Sequence, residues 1–259
     1  MIRLHPALAF FALLPLSGRA VCTDQIWKPG WSSTYDGTIG PYRVRFEIAQ
    51  TGGQITGYYF YVSQLKDIRL KGAVADGKQI FLQELDAEGR PEAEIRGAFA
   101  EKDPRAQLSG DLTCDIITGV WRKGDGSADL PVFLRMIASL PDPHGRRYEV
   151  AGASDDETIN RAAETFRKAV MNGDNQTVVS MIRYPITVYI SHQKTTIEDR
   201  RDMLANYDVV FSPGYRNAIA DSIPRDMFAR YDGIMLGDHG EVWFDERGRV
   251  TALNNILSK

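Results

Sequence analysis

The chain has 259 residues, of which 43% are apolar and 25% charged. At roughly 150 residues per domain this is closer to two domains than to one, and the composition excludes a disordered tail, a collagen or a coiled coil. Lys and Arg number 31 against 34 Asp and Glu, a net charge of −3, so there is no general electrostatic basis for nucleic-acid binding.

Residues 1–20 have the layout of a secretory signal. Arg3 supplies the positive start, and Ala7 to Leu16 is an apolar stretch too short for a bilayer span, which takes about 20 residues. Ser17-Gly18-Arg19-Ala20 then offers a small-x-small cleavage site, while Pro6 and Pro15 argue against a buried helix. Lipid attachment at Cys22 is not expected, because Arg19 and Val21 stand where that motif wants a Leu and a small residue. The expectation is a periplasmic or secreted protein with no later membrane-spanning segment. In an oxidising compartment the even pair Cys22 and Cys114 predicts one disulfide. It would close a loop of about 93 residues, for which chain entropy gives ~4–5 kcal/mol as an upper figure.

Residues 21–140 read as an antiparallel β domain. Tyr42, Val44, Phe46 and Ile48 alternate with Arg43, Arg45 and Glu47, the mark of a half-buried strand. Turns at Thr51-Gly52-Gly53-Gln54, Asp76-Gly77 and Glu88-Gly89 separate strands at Ile55–Val62, Ile68–Val74, Ile80–Leu85 and Ala93–Phe99. Leu108–Thr113, Ile117–Arg122 and Leu130–Met136 bring the number to about eight. An apolar-x-Gly pattern recurs at Gly57, Gly72, Gly97, Gly110 and Gly119. Glycine weakens a strand interior but permits a sharp bend, and a small barrel needs bends to close. An up-and-down barrel is therefore expected.

Residues 141–154 (PDPHGRRYEVAGAS) lack periodicity and read as a linker. Residues 155–259 read as an α+β unit. Asp155 and Asp156 cap a helix whose apolar face is Ile159, Ala163, Phe166 and Val170, ended by Asn172-Gly173. A short helix at Val178–Ile182 and a strand at Tyr184–Ile190 follow, then helices at Thr196–Val210 and Pro213–Asp221. Strands at Gly233–Leu236, Glu241–Phe244 and Val250–Leu253 complete it.

Two resemblances arise from these residues. The strand count and glycine placement over about residues 34–138 resemble a lipocalin- or avidin-type small barrel. The element order after residue 155, with Tyr184-Pro185-Ile186-Thr187-Val188, Phe228 to Leu236 and Gly240-Glu241-Val242-Trp243-Phe244, resembles the NTF2-like superfamily, whose curved sheet wraps helices into a cone with a pocket. Together they are similar to secreted bacterial two-domain proteins of unassigned function. The expected fold class is therefore α+β, with an N-terminal antiparallel up-and-down β-barrel followed by an α+β NTF2-like cone domain. Neither fold dictates an activity.

Chemistry-bearing motifs are sparse. Gly-x-Ser-x-Gly, the phosphate-binding Gly-x-x-x-x-Gly-Lys-Ser/Thr and His-Glu-x-x-His are all absent. Asp238, His239 and Glu241 surround Gly237 and Gly240, which is ordinary turn chemistry. His192, Asp238 and His239 are the weak acid–base candidates. The carboxylate pairs Asp155/Asp156, Asp245/Glu246 and Glu92/Glu94 read as a helix cap, a turn and an outer strand face. Aromatic side chains carry more information. Tyr58, Tyr59, Phe60 and Tyr61 share one strand, so one alternate pair fills the barrel and the other faces outward to a partner or the second domain. Tyr189 and Trp243, with Tyr184 and Phe244, are candidates for a pocket in the second domain. The sequence calls for no cofactor and no metal. It favours a non-enzymatic binding protein for a protein partner or an envelope ligand, such as an inhibitor or an immunity protein against a cell-wall-targeting enzyme. The alternatives are a small-molecule enzyme using the second domain's pocket and a structural envelope accessory protein.

Overall fold

The computed structural model describes residues 30–100, 115–141, 146–190 and 193–255. The expected signal at residues 1–20, Cys22, Cys114, the strand at Leu108–Thr113 with Gly110 of the glycine pattern, His144 and His192 lie outside these residues.

Eight strands form the first half: β1 (Trp31–Ile39), β2 (Tyr42–Thr51), β3 (Gln54–Tyr61), β4 (Ile68–Ala75), β5 (Gln79–Leu85), β6 (Pro91–Phe99), β7 (Ile116–Lys123) and β8 (Asp129–Pro141). Each pairs antiparallel with the next, and β8 pairs with β1, giving a closed up-and-down barrel. Closure leaves no free sheet edge. The sequence reading had no strand at β1. Its inward positions are Ser33, Tyr35, Gly37 and Ile39, and the small and polar members of that set hide the alternation.

The barrel interior is filled. Tyr35, Ile39, Val44, Phe46, Tyr59, Ile95 and Leu134 are wholly buried within it, and the Phe46 and Tyr59 rings stack with centroids 4.6 Å apart. Burial of each such side chain is worth ~1.5–3 kcal/mol. The glycine pattern has a steric basis. A Cβ at Gly37 would lie 2.0 Å from the Phe133 carbonyl oxygen, at Gly57 2.1 Å from that of Glu47, at Gly72 1.9 Å from that of Phe81, and at Gly119 2.3 Å from that of Arg96. Gly97 and Gly119 face each other directly across β6 and β7. All five stand at inward positions, where a side chain would occupy the backbone of the neighbouring strand.

The second half is a six-stranded sheet in the order β10-β9-β14-β13-β12-β11. Its strands are β9 (Ile182–Ile190), β10 (Gln193–Ile197), β11 (Phe228–Arg230), β12 (Gly233–Leu236), β13 (Val242–Phe244) and β14 (Val250–Asn255). β14 and β9 run parallel, and the other pairs are antiparallel. The helices are α1 (Asp156–Asn172), α2 (Asn175–Ser180), α3 (Arg200–Ala205), α4 (Tyr207–Val210) and α5 (Pro213–Asp221). The Asp155 carboxylate caps α1 by accepting from the Glu157 and Thr158 amides, and Gly173 ends it at φ 68°. The face predicted for α1 is the buried one: Ile159, Ala163, Phe166 and Val170. Phe166 meets Phe244 of β13 edge-on at 5.9 Å and Phe211 at 6.3 Å, and Phe211 stacks on Tyr207 and Tyr215. These rings fill the space between helices and sheet.

The helix expected over Thr196–Val210 is corrected. Thr195, Thr196 and Ile197 are β-branched and extend the sheet as β10, paired with β9. Asp199 then accepts from the Asp202 amide at 2.9 Å and starts α3. β11 was also not foreseen, because three residues are too few for a periodicity to show.

The steric account of barrel closure predicts that Gly37→Ala and Gly119→Ala each lose at least ~2 kcal/mol of unfolding free energy. Gly126, at φ 71° with nothing within 4 Å of its Cβ position, should lose only ~1 kcal/mol as Gly126→Ala. Urea denaturation of the three variants checks this ranking.

Candidate functional site

The turns β1–β2, β3–β4, β5–β6 and β7–β8 all lie at one end of the barrel, since neighbouring strands are antiparallel. The inward positions towards that end include Tyr42, Tyr59, Tyr61, Glu84 and Trp121, with Ile39, Ile68, Ala93, Lys123 and Leu130 in the same register. Glu84 is buried, with 7% of its surface exposed. Its Oε1 accepts from the Tyr59 hydroxyl at 2.5 Å and from the Trp121 indole N–H. Among the described residues no donor reaches Oε2, and no basic side chain pairs with the carboxylate. Burial raises the Glu84 carboxyl above its ordinary range, the Tyr59 and Trp121 hydrogen bonds oppose this, and the neighbouring Glu92 charge adds to the rise. The Tyr59 and Tyr61 hydroxyls are 3.5 Å apart, and burial pushes both phenols up. Tyr42 meets Tyr61 edge-on at 5.8 Å and is 53% exposed. The result is a buried carboxylate under a rim of partly exposed rings. Of these residues the sequence pointed to Tyr59 and Tyr61. Glu84 was hidden as one polar residue at the end of an apolar alternation, Ile80-x-Leu82-x-Glu84.

Tyr58 points the other way, out of the barrel and onto the second half. Its hydroxyl donates to Glu47 Oε2 and accepts from Arg147 Nε, whose guanidinium lies over the Tyr58 ring at 3.9 Å. Arg147 also sits 3.2 Å from Asp67, Arg225 bridges Asp67 (3.5 Å) and Glu157 (2.8 Å), and Arg45 pairs with Asp226. Burial raises Tyr58, Glu47 and Asp226 against the pull of these arginines. Tyr58 is thus part of the contact between the barrel and the second half. Within the segment read as a linker, the Arg147 and Tyr148 amides donate to Asp156, and the wholly buried Tyr148 donates its hydroxyl to Asn160 at 2.8 Å.

Tyr189 and Trp243 do not surround one pocket with Phe244. Phe244 faces α1, whereas Trp243 and Tyr189 lie on the opposite face of the sheet, where Arg230 covers Trp243 at 4.6 Å. Tyr184 is spent on the Val179 carbonyl at 3.2 Å. Asp238 and His239 are exposed on the β12–β13 connection. Glu241, buried beside them, uses Oε2 to accept the His239 amide at 2.9 Å, so it braces the turn. Asp245 similarly accepts the Arg247 and Arg249 amides. Among the described residues there is no cluster of His, Cys, Asp and Glu able to hold a metal. An open groove of about 460 Å³ runs over the outer barrel wall between Ala73, Phe81, Arg96 and Thr118, but its one charged group, Arg96, is held by Glu94 at 2.8 Å. No helix among the described residues is long and apolar enough to cross a membrane.

No protein-family model, curated protein or solved structure matches the chain.

The raised Glu84 carboxyl carries a signed consequence. Its contribution to stability is fully present below the ordinary carboxyl value of 4.5 and is lost as pH rises through the raised folded value. Glu84→Gln has no such loss. The stability of the variant relative to the parent should therefore grow between pH 4 and pH 7. Denaturation at the two pH values measures it.

Proposed function

We propose that the protein is a secreted or periplasmic non-enzymatic binding protein that engages a protein partner through the Tyr42–Tyr61–Trp121 end of its barrel. The observation that carries this reading is the filling of both interiors. Phe46 and Tyr59 occupy the barrel, and Phe166, Phe211 and Phe244 occupy the space under the sheet. A small ligand finds no room at those places, so recognition belongs at the surface. Exposed and half-exposed aromatic side chains are what binding surfaces use as anchors. An inhibitor or an immunity protein against a cell-wall-targeting enzyme is the form of binding protein that the signal-like start, the cysteine pair and the acidic balance support. We further propose that the barrel is of the lipocalin or avidin type and that the second half is NTF2-like. The opening helices and the mostly antiparallel six-stranded sheet support the latter.

The test is native mass spectrometry of the mature protein purified gently from its own cell envelope. A co-purifying protein of fixed stoichiometry is expected, and it should be lost from the Tyr42→Ala, Trp121→Phe double variant. A parent protein that is bare, or a partner retained by the double variant, contradicts the proposal.

A further inference from the structure

We infer that the Glu84 end of the barrel is a subsite for a cationic nitrogen, the guanidinium or ammonium of an Arg or Lys side chain on a protein partner. The inference rests on the binding reading above and names the chemistry that the surface selects.

The first observation is the state of the carboxylate. Glu84 is buried, yet both of its hydrogen-bond donors, the Tyr59 hydroxyl and the Trp121 indole, reach the same oxygen, Oε1. Among the described residues Oε2 takes none. Two neutral donors on one oxygen orient a carboxylate without neutralising it. A buried carboxylate with no counter-charge is unfavourable, and an incoming cation removes that penalty.

The second observation is that, among the described residues, the protein's arginines around this end and Lys123 are already committed. Arg69 donates to the Asp86 and Ala87 carbonyls, Arg90 pairs with Asp86 at 2.7 Å, Arg122 with Asp129 at 2.7 Å and Lys123 with Asp125 at 3.1 Å. Arg43 pairs with Asp36 at 3.2 Å, and Lys66 is exposed on the β3–β4 turn. None is drawn to Glu84.

The third observation is the rim. Trp121 turns its N–H edge to the carboxylate, Tyr61 lies close enough to feel its charge, and Tyr42 meets Tyr61 edge-on at 5.8 Å; aromatic faces attract a cation most strongly when it is partly desolvated. Below them the Phe46–Tyr59 stack closes the barrel, so the guest is the tip of a side chain and not a buried apolar molecule. A neutral sugar hydroxyl would donate a hydrogen bond but would leave the charge uncompensated.

The experiment titrates the full, isotope-labelled protein with N-acetyl-arginine amide and N-acetyl-lysine amide, using a neutral chitin trisaccharide as the control. The reporter is the Trp121 indole N–H resonance, assigned by its loss in Trp121→Phe. A saturable shift in the millimolar range with the cationic compounds is expected. It should weaken at least ~10-fold in Glu84→Gln and by about 3-fold in Tyr42→Ser, with both variants still giving the spectrum of a folded barrel. The inference is overturned by no saturable shift, by an equal shift in Glu84→Gln, or by a response to the trisaccharide alone. Because model compounds are used, this outcome is separate from that of the envelope purification. Cation binding without a co-purifying protein would sink the binding-protein reading and leave the subsite standing, and the reverse pattern would sink the subsite alone.

Discussion

Closing eight strands into so narrow a barrel is the constraint from which the rest follows. At Gly37, Gly57, Gly72, Gly97 and Gly119 the neighbouring backbone already occupies the place of a Cβ. The strands approach closely there, the barrel closes, and the remaining inward positions fill with Tyr35, Phe46, Tyr59 and Leu134. Among the described residues these side chains take up the barrel interior. The polar end of the same interior, Glu84 with Tyr59 and Trp121, then becomes the place where buried chemistry approaches the surface.

The second half constrains the first through charge. Arg147 reaches across to Asp67 and Glu47, Arg225 to Asp67, and Arg45 of β2 to Asp226. These partly buried pairs are directional, so they fix orientation more than they add stability. They also consume Tyr58, whose hydroxyl lies between Glu47 and Arg147. One aromatic strand is thereby divided between two tasks: Tyr59 and Tyr61 serve the barrel interior and its rim, and Tyr58 serves the contact between halves.

Much of the architecture was legible in the sequence because it is written in periodicity. The alternation of Tyr42, Val44, Phe46 and Ile48, the 4-3-4 spacing from Ile159 to Val170 and the apolar-x-Gly pattern each report one local geometry. What was not legible depends on pairing. β1 carries serine and glycine on its inward side. β10 lies in a stretch whose spacing also fits a helix, and only the exposed edge of β9 decides in favour of a strand. The site was half legible for the same reason. An aromatic run such as Tyr58 to Tyr61 announces itself, but Glu84 acquires meaning only when closure brings β3, β5 and β7 around it. Trp243 and Tyr189 show the same dependence on pairing, since it is their register that places them on the outer face of the sheet, away from Phe244.

The central claim is that recognition occurs at the turn-bearing end of the barrel. Hydrogen–deuterium exchange of the protein, free and then mixed with its own envelope extract, tests it most directly. The account predicts slowed exchange confined to residues 40–42, 62–67, 86–90 and 124–128. Slowed exchange on the outer sheet face around Trp243 and Tyr189, with those four turns unchanged, would contradict it.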